Sequence, residues 1–185
     1  METGSRKYSF VLVEEKEMQD PMDRDIRALL CECYPEDAGV YSQTRSWHGS
    51  SPVFSLVCVK KSVLAGYVGI VIREVARDSE LLIVAGIQNL AVLFRFRGGG
   101  VGKEMVLRAQ DEAERRGLLY GMLFCTPGLE SFYVSMGWSR TAYRVTMDDL
   151  KGCLTPLPAS LIPMVKVFGA GSFPPGDIYL RGPEW

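Results

Sequence analysis

The chain has 185 residues, 47% hydrophobic and 23% charged, which is the length of one domain with enough apolar mass to bury about 70% of its unfolded surface. That composition excludes wholesale disorder, and 21 Lys+Arg against 22 Asp+Glu, a net charge of −1, argues against a nucleic-acid binder, which rests on a basic patch. The single histidine, His48, excludes any site built on two, including HExxH and three-histidine zinc centres, and no metal is expected.

In chain order, residues 1–7 are polar and lack the apolar stretch of a secretory signal. Residues 8–13 read as a first strand. Asp20-Pro21-Met22-Asp23 reads as a helix start, with Asp20 as N-cap, Pro21 at the first helical position and Asp23 reaching back. Ile26, Leu29, Leu30 and Cys33 give that helix an apolar face, and Pro35 ends it. A polar loop over 36–51 carries Trp47 and His48. Residues 53–60 and 63–74, rich in Val, Ile and aromatics, predict a hairpin across Lys61-Ser62. Asp78-Ser79 turns the chain into a long apolar strand, 80–93, interrupted by the polar pair Gln88-Asn89.

The clearest helix is 101–116. Val101, Met105, Ala109 and Ala113 recur every four residues, and Glu104–Arg108, Asp111–Arg115 and Glu112–Arg116 are spaced as ion pairs. Gly117 is placed as its C-terminal cap. A strand follows at 120–125, then a helix opened by Thr126-Pro127 and closed by Gly137. Residues 143–147 and 164–168 read as strands, while prolines 156, 158, 163, 174 and 175 favour ordered loops over a second domain. The order predicts one mixed α/β domain over 1–185, in which a helical crossover makes strands 80–93 and 120–125 parallel neighbours.

Five cysteines (Cys31, Cys33, Cys58, Cys125, Cys153) without a CxxC pair read as reduced thiols, pointing to the cytoplasm. Cys31 and Cys33, two apart on a helix, point to different faces. The longest apolar stretch, 81–96, is broken by Gln88, Asn89 and Arg95 and is too short and polar to span a bilayer, so no membrane partner is expected.

The informative segment joins the strand 80–93 to the helix 101–116: Arg97-Gly98-Gly99-Gly100-Val101-Gly102. Glycines let backbone N–H groups approach an anion, and the helix start adds its positive dipole end. Arg97 and Lys103 flank the turn. A nucleotide P-loop requires Ser/Thr after Gly-Lys, but Glu104 follows Gly102-Lys103; a Rossmann site wants GxGxxG in the first strand–turn–helix unit. A plain turn needs one or two glycines, not four in five positions.

These residues resemble the Arg/Gln-x-x-Gly-x-Gly/Ala signature of GCN5-related N-acetyltransferases. Leu90-Ala91-Val92 is similar to that family's splayed fourth strand, and Thr126 to Trp138 (TPGLESFYVSMGW) to its later segment, with the pair Phe132-Tyr133 and the close Gly137-Trp138. Arg45-Ser46-Trp47 and the stretch Gly176 to Trp185 resemble nodulation-type N-acyltransferases, and Trp185 with the motif spacing is also similar to aminoglycoside 2′-N-acetyltransferases.

The resemblance implies a central, mostly antiparallel twisted sheet with a parallel splayed strand pair and flanking helices. It implies acetyl-CoA as cosubstrate, held by Leu90, Val92, Arg97, Gly98, Gly99, Gly100, Val101, Gly102, Lys103 and Thr126. It implies direct attack of a primary amine on the thioester, with backbone donors near Val92 and Leu93 for the oxyanion and Tyr133 as proton donor to the leaving thiolate. The family often has a glutamate on the fourth strand as base; here that position offers Gln88, a candidate to hold a relay water, with His48 as a substitute base. Glu36 and Asp37 are candidates to pair with an amine acceptor, and Trp47 and Trp185 to offer it flat faces. The expectation is acetyl transfer to a small-molecule amine. The alternatives are a longer-chain acyltransferase acting on an amino sugar and a catalytically silent module that binds coenzyme A. Dimers are common in the family, so a homodimer is one expected assembly.

Overall fold

A computed structural model describes residues 8–185, and the reading of 1–7 lies outside it. Strand β1 (Ser9–Glu14) leads to helix α1 (Asp20–Cys33), and a single 3-10 turn at Pro35–Asp37 runs into the short α2 (Ala38–Tyr41). Then come β2 (Phe54–Lys60), β3 (Val63–Arg77), β4 (Glu80–Val92), α3 (Val101–Arg115), β5 (Tyr120–Cys125) and α4 (Glu130–Val134). The chain closes through β6 (Ser139–Arg140), β7 (Val145–Asp148), β8 (Leu154–Pro156), β9 (Ile162–Val167) and β10 (Ile178–Tyr179).

Strands β1 to β4 form an antiparallel run in chain order. Lys61 and Ser62 both take positive φ (49° and 63°), the backbone that lets a two-residue turn follow the strands' twist. Strand β3 is long enough to serve two neighbours on one edge: residues 63–70 pair with β2, and Ala76-Arg77 pair with β10. Helix α3 is the crossover that sets β5 parallel to β4.

One face of the sheet carries α3, whose Val101, Met105, Val106, Ala109 and Ala113 pack on Phe54, Leu56, Val68, Ile70, Ala85 and Ile87. The other face is shared. Ile26, Leu29 and Leu30 of α1 cover Val57, Tyr67 and Ala91, while Ile178, Leu180 and Trp185 cover Val71, Val75, Val84 and Met122. Met105 has no exposed surface, so truncation there costs about 2–5 kcal/mol.

Four details differ from the sequence reading. Helix α1 begins at Asp20 with Gln19 before it and no side-chain cap, because the Asp23 carboxylate is drawn instead to Arg27 (2.7 Å) and the buried Arg45 (2.6 Å). The loop 36–51 contains α2 and a tight turn, Trp47-His48-Gly49-Ser50, whose centre takes positive φ at His48 (45°) and Gly49 (79°). Arg115 pairs with Glu112 (2.7 Å) and not Asp111. The proline-rich end supplies β8 and β10, the latter filling the place between β3 and β7.

Candidate active site

Two irregularities open the sheet. Strands β4 and β5 pair only at Val84–Gly86 with Tyr120–Met122, and beyond these they diverge. On its other edge β4 bulges: Gly69 faces Gln88 and Tyr67 faces Ala91, so two residues, Asn89 and Leu90, stand opposite Val68 alone. Asn89 takes φ 55°, a backbone its short amide side chain tolerates. The bulge turns Leu90 and Val92 toward the α3 face and the gap.

Past the bulge the polarity of the strand follows from one bond. Leu93 N–H donates to the Ala65 carbonyl (3.0 Å), so by antiparallel alternation the Val92 backbone faces away from β3, toward the gap. Arg97 Nε reaches the Val92 carbonyl from that side (2.8 Å). The donor facing the cleft is therefore Val92 N–H. Leu93, expected to share that role, has its N–H spent in the sheet and does not line the cleft.

The cleft between the splayed strands has a volume of about 780 Å³. At one end lies the glycine turn. Gly98 and Gly100 take φ 78° and 79°, and a side chain built on either meets nothing within 4 Å. The first bond of α3 runs from Glu104 N–H to Gly100 C=O (3.0 Å), so the amides of Val101, Gly102 and Lys103 precede the helix ladder and are open to a ligand. Bare glycines, leading amides, Arg97 and Lys103 together make a cradle for a diphosphate. Of the residues expected to hold the cofactor, Leu90, Val92, Arg97, Gly98, Gly100, Val101, Gly102, Lys103 and Thr126 line the cleft; Gly99 does not.

Tyr133, on α4, also lines the cleft, edge-on to Phe132 at 5.0 Å. It is buried, and desolvation first, then the neighbouring Tyr34 and Cys125, pushes its phenol well above the usual range. The hydroxyl thus keeps its proton at neutral pH, and among the described residues it has no hydrogen-bond partner. Cys33 and Cys125 also line the cleft, and burial raises both thiols, outweighing the Arg97 guanidinium near Cys33. Protonated thiols are poor nucleophiles.

The far end was largely missed by the sequence reading. Tyr41, Asn89, Phe124 and Leu161 join the expected Asp37, Trp47, Gln88 and Trp185 on the lining, and Tyr34 links them to Cys33, Arg97 and Tyr133. Glu36 stays exposed outside the lining; His48 also lies outside it, half-buried, with its Nδ1 3.2 Å from Glu184 Oε1. Gln88 is 2% exposed and binds the loop: its Oε1 accepts from Trp47 N–H and Asn89 Nδ2 (both 3.1 Å), and its Nε2 donates to Ser50 C=O (2.8 Å). With two bonds to Oε1 and one from Nε2, Gln88 clamps the loop. Asn89 Nδ2 also donates to Arg45 C=O (2.8 Å). The polar pair inside an apolar strand was the available signal for this bulge.

Arg45, grouped with Trp47 in the sequence, has a structural task. Its guanidinium is buried on Glu15 (2.7 Å), Asp23 (2.6 Å) and the Tyr67 hydroxyl (3.2 Å). Among the described residues, no helix is long and apolar enough to cross a membrane.

Residues 24–138 match the model of the acetyltransferase (GNAT) family. No curated protein matches the sequence. Among solved structures, the chain is similar to the GNAT family N-acetyltransferase YhbS from Escherichia coli in complex with CoA, with TM-score 0.67 and 17% identity over 98% of this chain and 93% of that one. It is similar to Escherichia coli ElaA at TM-score 0.63 and 15% identity, covering 86% of this chain and 99% of that one. A GNAT family acetyltransferase from Brucella melitensis in complex with acetyl-CoA gives TM-score 0.60 and 15% identity over 92% and 94%. At these identities the likeness is one of fold.

Proposed function

The chain belongs to the acetyltransferase (GNAT) family, and from that premise we propose that it transfers an acyl group, acetyl in the first instance, from coenzyme A to a primary amine of a small molecule. The observation that carries the reading is the continuous cleft, which joins an anion cradle at the start of α3 to a backbone donor on splayed β4 and a protonated phenol on α4. The CoA complexes of the two similar acetyltransferases support it.

The residues present fit coenzyme A. The glycine turn leaves open the space a diphosphate needs, with leading amides and two cationic side chains around it. The amides of Val101, Gly102 and Lys103 would hold that group, and Leu90 and Val92 would line the path from it to the gap. When bound, the cosubstrate supplies an acyl thioester.

The chain's own groups do the rest. Val92 N–H is aimed at the gap, where negative charge on a carbonyl oxygen is stabilised by a fixed donor. Tyr133 holds a proton at its hydroxyl for the departing sulfur. The acceptor amine arrives protonated at neutral pH, and because β4 places no carboxylate on the cleft lining its proton passes to water in the open cleft. With Cys33 and Cys125 kept as thiols, direct attack by the amine is favoured over an acyl-cysteine.

Calorimetry with acetyl-CoA, followed by thiol release over an amine panel, tests the reading. Micromolar binding and amine-dependent thiol release are expected. No binding at millimolar acetyl-CoA overturns it, and binding without release from any amine leaves a coenzyme A-binding module in its place.

A further inference from the structure

The acceptor end of the cleft is walled by aromatic rings. On one side Tyr34, Tyr41 and Trp47 follow one another with centroids 5.7 Å apart at each step, the last two stacked at 26°. Elsewhere on the lining Phe124 meets Trp185 edge-on at 4.9 Å. These residues come from the position after α1, from α2, the turn that follows it, β5 and the last residue of the sequence, so the walls are assembled by the tertiary fold.

Most polar atoms of these walls are already engaged. Tyr34 Oη donates to the Leu90 carbonyl (2.6 Å) and Tyr41 Oη to Asn89 Oδ1 (2.7 Å). Gln88 and Asn89 are bound to Trp47, Ser50 and Arg45. Three groups have no partner among the described residues: the Asp37 carboxylate, which is the only acidic side chain on the lining, the indole N–H of Trp47, and the indole N–H of Trp185, which is buried against Gly86.

We infer that the acceptor is a primary monoamine with a flat apolar body, an arylalkylamine in chemical class; this rests on the acyltransfer reading above. A planar ring between the two walls gains apolar burial and edge or face contacts. A single ammonium group finds ring faces and one carboxylate. A polyamine or aminoglycoside brings several ammonium groups to a lining with one anion. An amino sugar brings hydroxyls that would be desolvated against amides and phenols with bonds already made. The acceptor class is thus set by what the walls have left to offer.

The test is calorimetric, on the wild-type protein with and without saturating CoA, using 2-phenylethylamine, spermidine, kanamycin and an alanine-initiated tetrapeptide. 2-Phenylethylamine is expected to bind at least about 30-fold more tightly than each of the others, and Trp47→Ala and Phe124→Ala each to weaken it about tenfold while CoA affinity holds. Equal or tighter binding of spermidine, kanamycin or the peptide overturns the inference, as does unaltered phenylethylamine affinity in both variants. The two readings fail separately. Phenylethylamine preference without CoA binding sinks acyl transfer and sustains the pocket assignment, whereas CoA binding with a polyamine preference does the reverse.

Discussion

The indole of Trp185 occupies the space in which a side chain on Gly86 would begin: a Cβ built there lies 2.1 Å from Trp185 Nε1 and 2.5 Å from Val71 Cγ2. Gly86 is also the last β4 residue paired with β5, so the ring sits at the point where the cleft opens. Gly86→Ala is therefore expected to displace Trp185 and cost about 1–3 kcal/mol of stability through overpacking. Thermal denaturation and a red shift of tryptophan emission check it; an unchanged melting temperature with unchanged emission contradicts it.

Tyr133 is expected to act through its hydroxyl and not its ring. Tyr133→Phe keeps the edge contacts with Phe132 and Trp138 and removes one proton donor. Turnover should fall about 10²-fold, with KM for acetyl-CoA held within about twofold. Steady-state kinetics at neutral pH decide; unaltered kcat removes the proton-donor role.

Burial raises the thiols of Cys33 and Cys125, so neither is expected to carry an acyl group. Cys125→Ala and Cys33→Ala should each retain most of the activity, and intact-mass measurement after mixing with acetyl-CoA alone should show no added 42 Da, about the mass of one acetyl group. A stable acetylated species lost in either variant would establish a covalent route.

Arg45 holds α1, the segment before it and β3 together through Asp23, Glu15 and Tyr67. Arg45→Met is expected to cost about 2 kcal/mol, below the 3–5 kcal/mol typical of a fully buried pair because both carboxylates keep about a third of their surface. Burial alone would raise Asp23, but hydrogen bonds from Arg45 and Arg27 outweigh it and hold its carboxyl below the ordinary value. The unfolded chain then takes up a proton first as pH falls, so this contribution is present above the ordinary carboxylate pKa, about 4, and fades as pH drops below it toward the depressed folded value. The difference in melting temperature between wild type and Arg45→Met should accordingly shrink between pH 7 and pH 3; a constant difference denies the linkage.

At the cradle, Gly100 combines φ 79° with open space where a ligand approaches. Gly100→Val places a branched side chain in a left-handed backbone, at a cost of about 1–2 kcal/mol, and in the path of the diphosphate. Calorimetry should show acetyl-CoA affinity reduced at least about tenfold; wild-type affinity would mean the turn binds nothing.

The segment from β4 through α3 to β5 was legible because each piece carries a strong local signal: an apolar run, four glycines, a four-residue apolar period and a capping glycine. Its parallel pairing followed from chain order alone. Strands of two and three residues, such as β10 and β8, carry no period and are made by their neighbours. The choice of Glu112 over Asp111 by Arg115 was hidden because helical spacing offers each arginine two carboxylates. The cofactor end of the cleft was readable because it is contiguous in sequence. The aromatic end was not, since Tyr34, Tyr41, Trp47, Phe124 and Trp185 meet only through the fold.

On the acyl-transfer reading proposed above, the clamp formed by Gln88 and Asn89 couples selectivity to turnover. The side chains that fasten the turn bearing Trp47 belong to the same bulge that turns Val92 N–H toward the gap. A substitution that moves the turn to admit a different acceptor pulls on the strand that presents the donor. On that reading, new acceptors are expected to be reached more cheaply by changes at Phe124 and Leu161, which line the cleft outside the clamp, than by changes in residues 45–50, where a gain in scope is offset by a loss in rate.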